Sequence, residues 1–261
     1  MKKLFKAYWQ QYDRLYTKKG LVIFMFAIYL GFLALLFYSG AFLESLPVIN
    51  QASLDSGEYL KLPLVYDTVF WLASFFTVLW AVFFILFLRD ELEAFPAMNM
   101  DYKTFLSAKL MFVFSIILDW ILFSWLLAFL IGRRAGHTDY FYYEQIMALP
   151  VQMLLFMSMA FLAVALSKTK SGAIVLFLAY FFFEALVRKI LFSAGISAGH
   201  YLPAKIATRL VEPPSIRFMS KYALKEYVSN NPLPFIMNWA LALLYSVIFF
   251  FTGSKLLKSK L

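Results

Sequence analysis

The sequence predicts an all-α polytopic membrane protein with six transmembrane helices. Six apolar stretches of 17 to 22 residues are almost free of charge, although the chain carries 24 Lys and Arg. A helix of about 20 residues crosses the hydrocarbon core of a bilayer. The chain is 63% hydrophobic with a mean hydropathy of +0.75, and the alternation typical of a β-barrel is absent. The predicted spans are Leu21–Tyr38, Thr68–Leu88, Leu110–Ile131, Ile146–Leu166, Ser171–Val187 and Phe235–Thr252.

A single membrane domain follows from the lengths of these spans. Together they occupy nearly half of the 261 residues, and no gap between them is long enough for an independent soluble domain. We therefore predict an interfacial segment over residues 1–20 and one transmembrane domain over residues 21–261. The chain has no Cys, which excludes disulfides, thiolate metal sites and cysteine nucleophiles.

The basic residues predict that both chain ends lie in the cytoplasm, because Lys and Arg are enriched in cytoplasmic loops. The segment before the first span contains five Lys and one Arg against one Asp, and the tail after the last span is also basic. Two cytoplasmic ends require an even number of spans, which six satisfies. The gap 188–234 is basic but is predicted to lie outside; long loops cross the membrane largely regardless of charge.

Residues 1–20 predict an amphipathic helix in the plane of the membrane surface. Leu, Phe, Trp and Tyr side chains recur at helical spacing, and Lys side chains occupy the opposite face. Basic helices of this kind lie among the lipid headgroups. Two roles stay open: a simple anchor that orients the first span, or a lever that relays movement to it.

The connector Arg89–Lys109, between the second and third spans, combines charged and apolar residues. Pro96 should interrupt any helix that continues from the second span. Asp101 is a suitable N-cap for a short helix beginning at Tyr102. Such a connector suits docking against a cytosolic protein, and an ordinary solvated turn is the alternative.

Short extracytoplasmic helices are predicted in the long gap between the fifth and sixth spans. Pro213 and Pro214 precede a mixed amphipathic stretch from Ile216 to about Ser229. We expect such helices to lie on or dip into the outer leaflet, where basic residues meet anionic headgroups.

The layout resembles the permease subunit of bacterial ABC transporters of the ABC-2 exporter type. The similarity covers nearly all of the chain: an interfacial helix, six spans, a connector between the second and third spans, and a long outer segment before the last span. The stretch Met98–Lys109 looks like the one that precedes the third span in that family. Glu91 and Glu93 lie where the family places acidic residues after the second span.

The resemblance implies that the connector contains a cytoplasmic coupling helix that sits in a cleft of a separate ATPase subunit. It also implies a homo- or heterodimer of permease chains with two P-loop ATPase subunits, which bind ATP and Mg. Its location would be the bacterial cytoplasmic (inner) membrane. The residues to which the resemblance assigns the ATPase contact are Glu91, Glu93, Asp101, Tyr102, Lys103 and Phe105.

The chain has no nucleotide-binding motif of its own. No Gly-x4-Gly-Lys-Ser/Thr sequence occurs, and none of the ten glycines directly precedes a Lys. His137 and His200 are the only histidines, and neither lies in a metal-binding motif. We therefore expect no enzyme activity, metal or cofactor in this chain. Its net charge of +9 is clustered at the membrane edges, which predicts contact with lipids and not with nucleic acid. An integral membrane scaffold without transport activity is the alternative function.

Three ionisable residues within the predicted spans or next to them are candidates for a role inside the membrane. Asp119 is near the middle of the third span, where a charge costs about 3 kcal/mol. It either makes a hydrogen bond between helices, for which Gln152 and Asn238 are the best-suited partners, or lines a substrate path or proton relay. Glu184 and Arg188 lie one helical turn apart, as an ion pair that fixes the depth of the helix or as part of an outer gate.

Overall fold

The protein is described by a computed structural model that covers most of the chain from the second predicted span onward. The described residues are 45–48, 60–98, 101–135, 143–210 and 235–259, together with the single helical positions Lys6, Ala27, Leu30 and Gly31. Apart from those four positions, the predictions for the interfacial helix 1–20, the first span and the stretch 216–229 lie outside the described residues.

Helices make up most of the described chain, as predicted. Each of the five long helices contains one predicted span, from the second to the sixth. They have 24 to 34 residues, which correspond to lengths of about 36 to 51 Å. The helices are Leu64–Ala94 (α1), Tyr102–Ala135 (α2), Tyr143–Leu166 (α3), Lys170–Ser193 (α4), Pro203–Leu210 (α5) and Phe235–Lys258 (α6), with short 3-10 helices at Phe95–Met98 and Ser197–Tyr201.

Two helices in the described part of the chain are long and apolar enough to cross a membrane. They are Ala148–Leu166 within α3 and Ile236–Lys258 within α6. The first is 78% buried and the second 22% buried, so α3 lies at the centre of the bundle and α6 at its outside. In agreement with this position, α3 contacts each of the other five helices.

The side-chain contacts also give the directions of the helices. Thr77, in the first half of α1, contacts Gln152 near the start of α3, and Arg89 near the end of α1 contacts Ser167 just after the end of α3. α1 and α3 are therefore parallel. α4 returns after the short turn that follows α3, and so runs in the opposite direction.

α2 and α6 complete this alternating arrangement. The start of α2 contacts the end of α1, where Phe95 and Phe105 meet edge to face. Tyr102, also at the start of α2, is hydrogen-bonded to Ser254 near the end of α6. α1, α3 and α6 therefore share one direction, and α2 and α4 have the other, which is the alternation that a chain crossing a membrane repeatedly requires.

A two-stranded antiparallel sheet precedes α1 and is an addition to the predicted all-α fold. Strand β1 (Ser45–Val48) pairs with strand β2 (Leu60–Pro63), with Ser45 opposite Pro63. Each strand has four residues, too few for their apolar pattern to distinguish a strand from a loop. The sheet lies in the gap between the first and second predicted spans.

Gly253 allows α6 to approach α3 closely. A Cβ atom at this position would lie 2.6 Å from Cδ1 of Phe161 and 3.3 Å from Cα of Leu162. Phe161 is fully buried and stacked on Phe250, with 4.5 Å between the ring centroids, so it has little room to move. We expect Gly253→Ala to destabilise the bundle by about 1–3 kcal/mol. Tryptophan fluorescence across a sodium dodecyl sulfate titration of the purified protein would measure this loss. Thr252→Ala, at the exposed neighbouring position, is the control, and equal midpoints for the two variants would contradict the prediction.

Candidate functional site

α1 ends where the sequence predicts that it should. Its last residue is Ala94, and the 3-10 helix Phe95–Met98 follows directly. Pro96 has no N–H to donate within a helix and disfavours the helical conformation in the residue before it. The chain therefore leaves α1 here and turns back towards α2 at one end of the bundle.

Asp101 caps the start of α2, as predicted. Its carboxylate accepts hydrogen bonds from the backbone N–H of Thr104 at 3.0 Å and from the Thr104 hydroxyl at 2.6 Å. An N-cap of this kind satisfies amides that have no partner within the helix. The helix that starts at Tyr102 is not short, however. It continues to Ala135, so the first turns of a 34-residue helix replace the separate coupling helix that was predicted.

Three of the six residues assigned to coupling are exposed. They are Glu93, Asp101 and Lys103, and we call them the connector surface. Oε1 of Glu93 also lies 3.6 Å from Nε of Arg89, one turn earlier on α1. These three side chains therefore place charge at the protein surface on both sides of the turn between α1 and α2.

The other three assigned residues hold the helices together. Phe105 is fully buried and contacts Phe95 edge to face, with 5.1 Å between the ring centroids. The hydroxyl of Tyr102 donates a hydrogen bond of 2.6 Å to the backbone carbonyl of Ser254. Burial raises the pKa of Tyr102, and its hydrogen bond with Ser254 opposes the rise. Glu91 is buried as well. None of these three side chains is exposed, in contrast to those of the connector surface.

A buried ion pair joins α1 to α2. Glu91 and Lys109 form this pair, and they are 3% and 0% exposed. The Lys109 ammonium also lies 5.8 Å and 5.0 Å from the ring centroids of Phe84 and Phe112. Because water is excluded, each charge depends on the other for compensation. The sequence indicated Lys109 only as a residue at the membrane edge.

Arg89 ties the connector to the turn between α3 and α4. Its guanidinium donates hydrogen bonds to the backbone carbonyls of Ser167, at 3.3 Å, and Lys168. These carbonyls follow the end of α3, where helix geometry leaves carbonyls unpaired and partially negative. The adjacent Asp90 forms an ion pair with Lys170, the first residue of α4, and this hydrogen bond raises the pKa of Lys170. Polar contacts therefore join α1, α3 and α4 at this end of the bundle.

Arg89, Asp90, Lys109 and Lys170 were not predicted as functional residues. The sequence did show that charged residues flank the spans here. Their partners are 18 to 80 residues away along the chain. The charges marked the ends of the helices, and the pairing became visible only in the fold.

At the opposite end of the bundle, Glu184 caps the start of α5. Its carboxylate accepts hydrogen bonds from the backbone N–H groups of Ala204 and Lys205, both at 2.8 Å. The side chain is buried, so the two charge-assisted hydrogen bonds replace its contacts with water. Glu184 also forms a hydrogen bond with the side chain of Tyr180, one turn earlier on α4. Among the described residues, no ion pair joins it to Arg188. A carboxylate on α4 thus holds a helix that lies between the fifth and sixth predicted spans.

Gln152 holds the same short helix from another side. Its amide nitrogen donates to the carbonyl of Ala207 at 3.1 Å and to the hydroxyl of Ser74 at 2.8 Å. Its amide oxygen accepts from the hydroxyl of Thr77 at 3.0 Å. Ala207 and its neighbour Ile206 are fully buried. α5 is therefore inserted between the long helices and is not a helix lying on their surface.

His200 lies in the 3-10 helix before α5 and is mostly buried. Burial, followed by the positive charges of Lys205 and Arg209, lowers its pKa, so the imidazole is neutral at pH 7. Its ring lies 4.7 Å from that of Phe192, centroid to centroid. Among the described residues, no three His, Cys, Asp or Glu side chains are close enough to hold a metal ion.

Asp119 lies apart from both polar clusters. It is exposed on α2, whereas the partners of Gln152 are Ser74, Thr77 and Ala207. The described residues thus do not bring Asp119 to Gln152. Whether it serves as a contact between helices or as part of a substrate path stays a prediction.

Comparison with known proteins adds no family to these observations. The chain matches no protein-family model, no curated protein and no solved structure.

Proposed function

We propose that the chain is the transmembrane permease subunit of an ATP-driven exporter of the ABC-2 type. The observation that carries the proposal is the connector surface, which is exposed at one end of the bundle and joined to several helices. Glu93 belongs to α1, while Asp101 and Lys103 belong to the start of α2. Through Arg89, the same connector is hydrogen-bonded to the end of α3. A partner that moves this surface would move these helices together.

The surfaces of the outer helices support placement in a membrane. α4 exposes Phe182, Phe183 and Ile190 by 65% or more, and α6 exposes Ile236 by 77%. Apolar areas of this kind are unfavourable in water and are covered in lipid. Together with the two candidate spans and the alternating helix directions, they support a multi-pass membrane protein. In this proposal the membrane is the bacterial inner membrane, and both chain ends lie in the cytoplasm.

The energy source in this proposal is a separate protein. The sequence has no P-loop, so two P-loop ATPase subunits would bind ATP and Mg and act on a dimer of permease chains. The connector surface contains two acidic side chains and one basic side chain. Charge complementarity at such a contact would select the partner and orient it.

Reversal of charge on the connector surface tests the proposal. We expect the affinity-tagged wild-type chain, extracted in mild detergent, to co-purify with a P-loop ATPase that mass spectrometry identifies. The double variant Glu93→Lys and Lys103→Glu should retain at least about tenfold less of this ATPase, because like charges would then face each other. Asp101→Asn should reduce the amount less, since Asn retains the N-cap while removing the charge.

The control is Lys189→Glu, at an exposed residue near the opposite end of the bundle. It should leave the co-purified ATPase unchanged. Equal amounts of ATPase with the double variant and the wild type would show that the connector surface is not the contact. Absence of any ATPase from the wild-type preparation would argue against the exporter and favour a membrane scaffold without transport activity.

A further inference from the structure

A groove runs along the bundle between α2 and α6, with α1 and α3 at its back. Its volume is about 420 Å³. Side chains that line it include Phe84, Leu110, Met157, Val247 and Phe251. It extends along α6 from Ser246 to Ser254, a rise of about 12 Å, which is about 40% of the ~30 Å hydrocarbon core of a bilayer.

The groove is open on one side. Three of its lining residues, Leu110, Val247 and Phe251, are 45%, 66% and 64% exposed. Met157 and Ser158, at the back, are almost fully buried. Within a membrane, the open side would face the lipid chains of one leaflet. Because Ser254 and its partner Tyr102 lie at one end of the groove, this leaflet is the one on the connector side.

The groove offers a ligand almost no unsatisfied hydrogen-bonding groups. Its walls contain three hydroxyls. That of Ser158 donates to the Leu155 carbonyl at 2.8 Å, and that of Ser246 donates to the Ala242 carbonyl at 2.7 Å. The hydroxyl of Ser254 lies 3.1 Å from that of Tyr102. Since these hydroxyls already have partners within the protein, the groove favours a hydrocarbon chain over a polar molecule.

Positive charge lies at the connector end of the groove. The ammonium of Lys255 lies 5.8 Å from the ring centroid of Phe251, which lines the groove. Lys258 follows at the next turn of α6, and both side chains are exposed. Lysines in this position attract anionic groups at a membrane surface.

We infer that the groove binds one acyl chain of an anionic lipid from the leaflet on the connector side, with the headgroup at Lys255 and Lys258. The apolar walls favour a hydrocarbon chain, the exposed rim gives the route by which it enters, and the two lysines favour a negatively charged headgroup. A role for this site as the entrance of an exported amphiphile rests on the proposed function. The binding itself requires no ATPase.

Photocrosslinking with a labelled lipid tests the site directly. The purified full-length chain is placed in phosphatidylcholine vesicles that contain phosphatidylglycerol with a photoreactive group in its acyl chain. Mass spectrometry should find the label on Leu154 and Met157 at the back of the groove. Val247→Trp should reduce this labelling about tenfold, because the Trp side chain would fill space in the groove that the acyl chain needs.

Ile248→Trp is the matched control, since Ile248 is an exposed neighbour that does not line the groove. It should leave the labelling of Leu154 and Met157 unchanged. Equal labelling in the two variants would overturn the inference, as would labelling of exposed residues alone. Crosslinks that place another protein segment, from this chain or a second copy, in the groove would overturn it too.

The headgroup is tested with the double variant Lys255→Gln and Lys258→Gln. The wild type should prefer the phosphatidylglycerol probe over a phosphatidylcholine probe, and each lysine removed should reduce that preference about fivefold. Lys189→Gln, at an exposed position of α4 near the opposite end of the bundle, should not change it. An unchanged preference in the double variant would overturn the headgroup assignment. Because labelling is measured without ATP or an ATPase, groove binding can succeed while the exporter proposal fails, and the reverse.

Discussion

Replacement of Lys109 by Met is expected to destabilise the bundle by about 3–5 kcal/mol, the usual cost of removing one partner from a buried ion pair. Glu91 would remain buried without its compensating charge. The loss would appear as a lower midpoint in a sodium dodecyl sulfate titration followed by tryptophan fluorescence. The double variant Glu91→Met and Lys109→Met should recover most of the stability, because apolar pairs of similar volume often replace buried ion pairs without loss.

The ion pair between Asp90 and Lys170 is a matched control at the same end of the bundle. Its side chains are 33% and 43% exposed, so water compensates a charge that loses its partner. Lys170→Met should therefore have little effect on the midpoint. Two results would contradict the prediction: a midpoint for Lys109→Met as high as that for Lys170→Met, or a double variant no more stable than Lys109→Met. Either would show that burial does not determine the contribution of the Glu91–Lys109 pair to stability.

Replacement of Glu184 by Leu is expected to release α5. The backbone N–H groups of buried Ala204 and half-buried Lys205 would lose their acceptor. Hydrogen bonds to charged groups contribute about 1.5–3 kcal/mol each, so opening of α5 should become at least about 100-fold more frequent. Hydrogen exchange measured by mass spectrometry on the peptide 203–210 should accelerate accordingly.

Thr208→Ala provides the control on the same helix, because Thr208 is exposed and its hydroxyl bonds only to the Lys205 carbonyl. It should leave the exchange of peptide 203–210 close to that of the wild type. Exchange in α3 should be unchanged in both variants, since its core contacts do not involve Glu184. Unchanged exchange of α5 in Glu184→Leu would mean that Gln152 and apolar packing suffice to hold the helix.

The positions of the long helices could be predicted from local features of the chain. Long apolar runs located the five long helices, Pro96 located the end of α1, and Asp101 located the start of α2. Each of these signals acts over a few residues, because a cap or a proline changes only the adjacent backbone. The length of α2 was not predicted. We expected a separate short helix at Tyr102, although no residue after Tyr102 interrupts the helix.

The candidate site was predictable only in part. Composition marked the connector as charged, but it could not separate exposed Glu93 from buried Glu91, two residues apart on α1. That difference depends on which face of α1 meets α2. The capping of α5 by Glu184 was also invisible, because the nearer Arg188 suggested a local ion pair. Contacts between distant residues require the packing of the helices, which the pattern of one sequence does not supply.

The hydrogen bond between Arg89 and Ser167 has a consequence for the order in which the protein is made. Its two residues are 78 positions apart. At a synthesis rate of about 5–20 residues per second, Ser167 joins the chain about 4–16 s after Arg89. During that interval the ribosome has yet to supply the carbonyls that Arg89 binds and the Lys170 that Asp90 binds. The connector thus acquires its final set of contacts only after α3 has been completed, although its own residues are made much earlier.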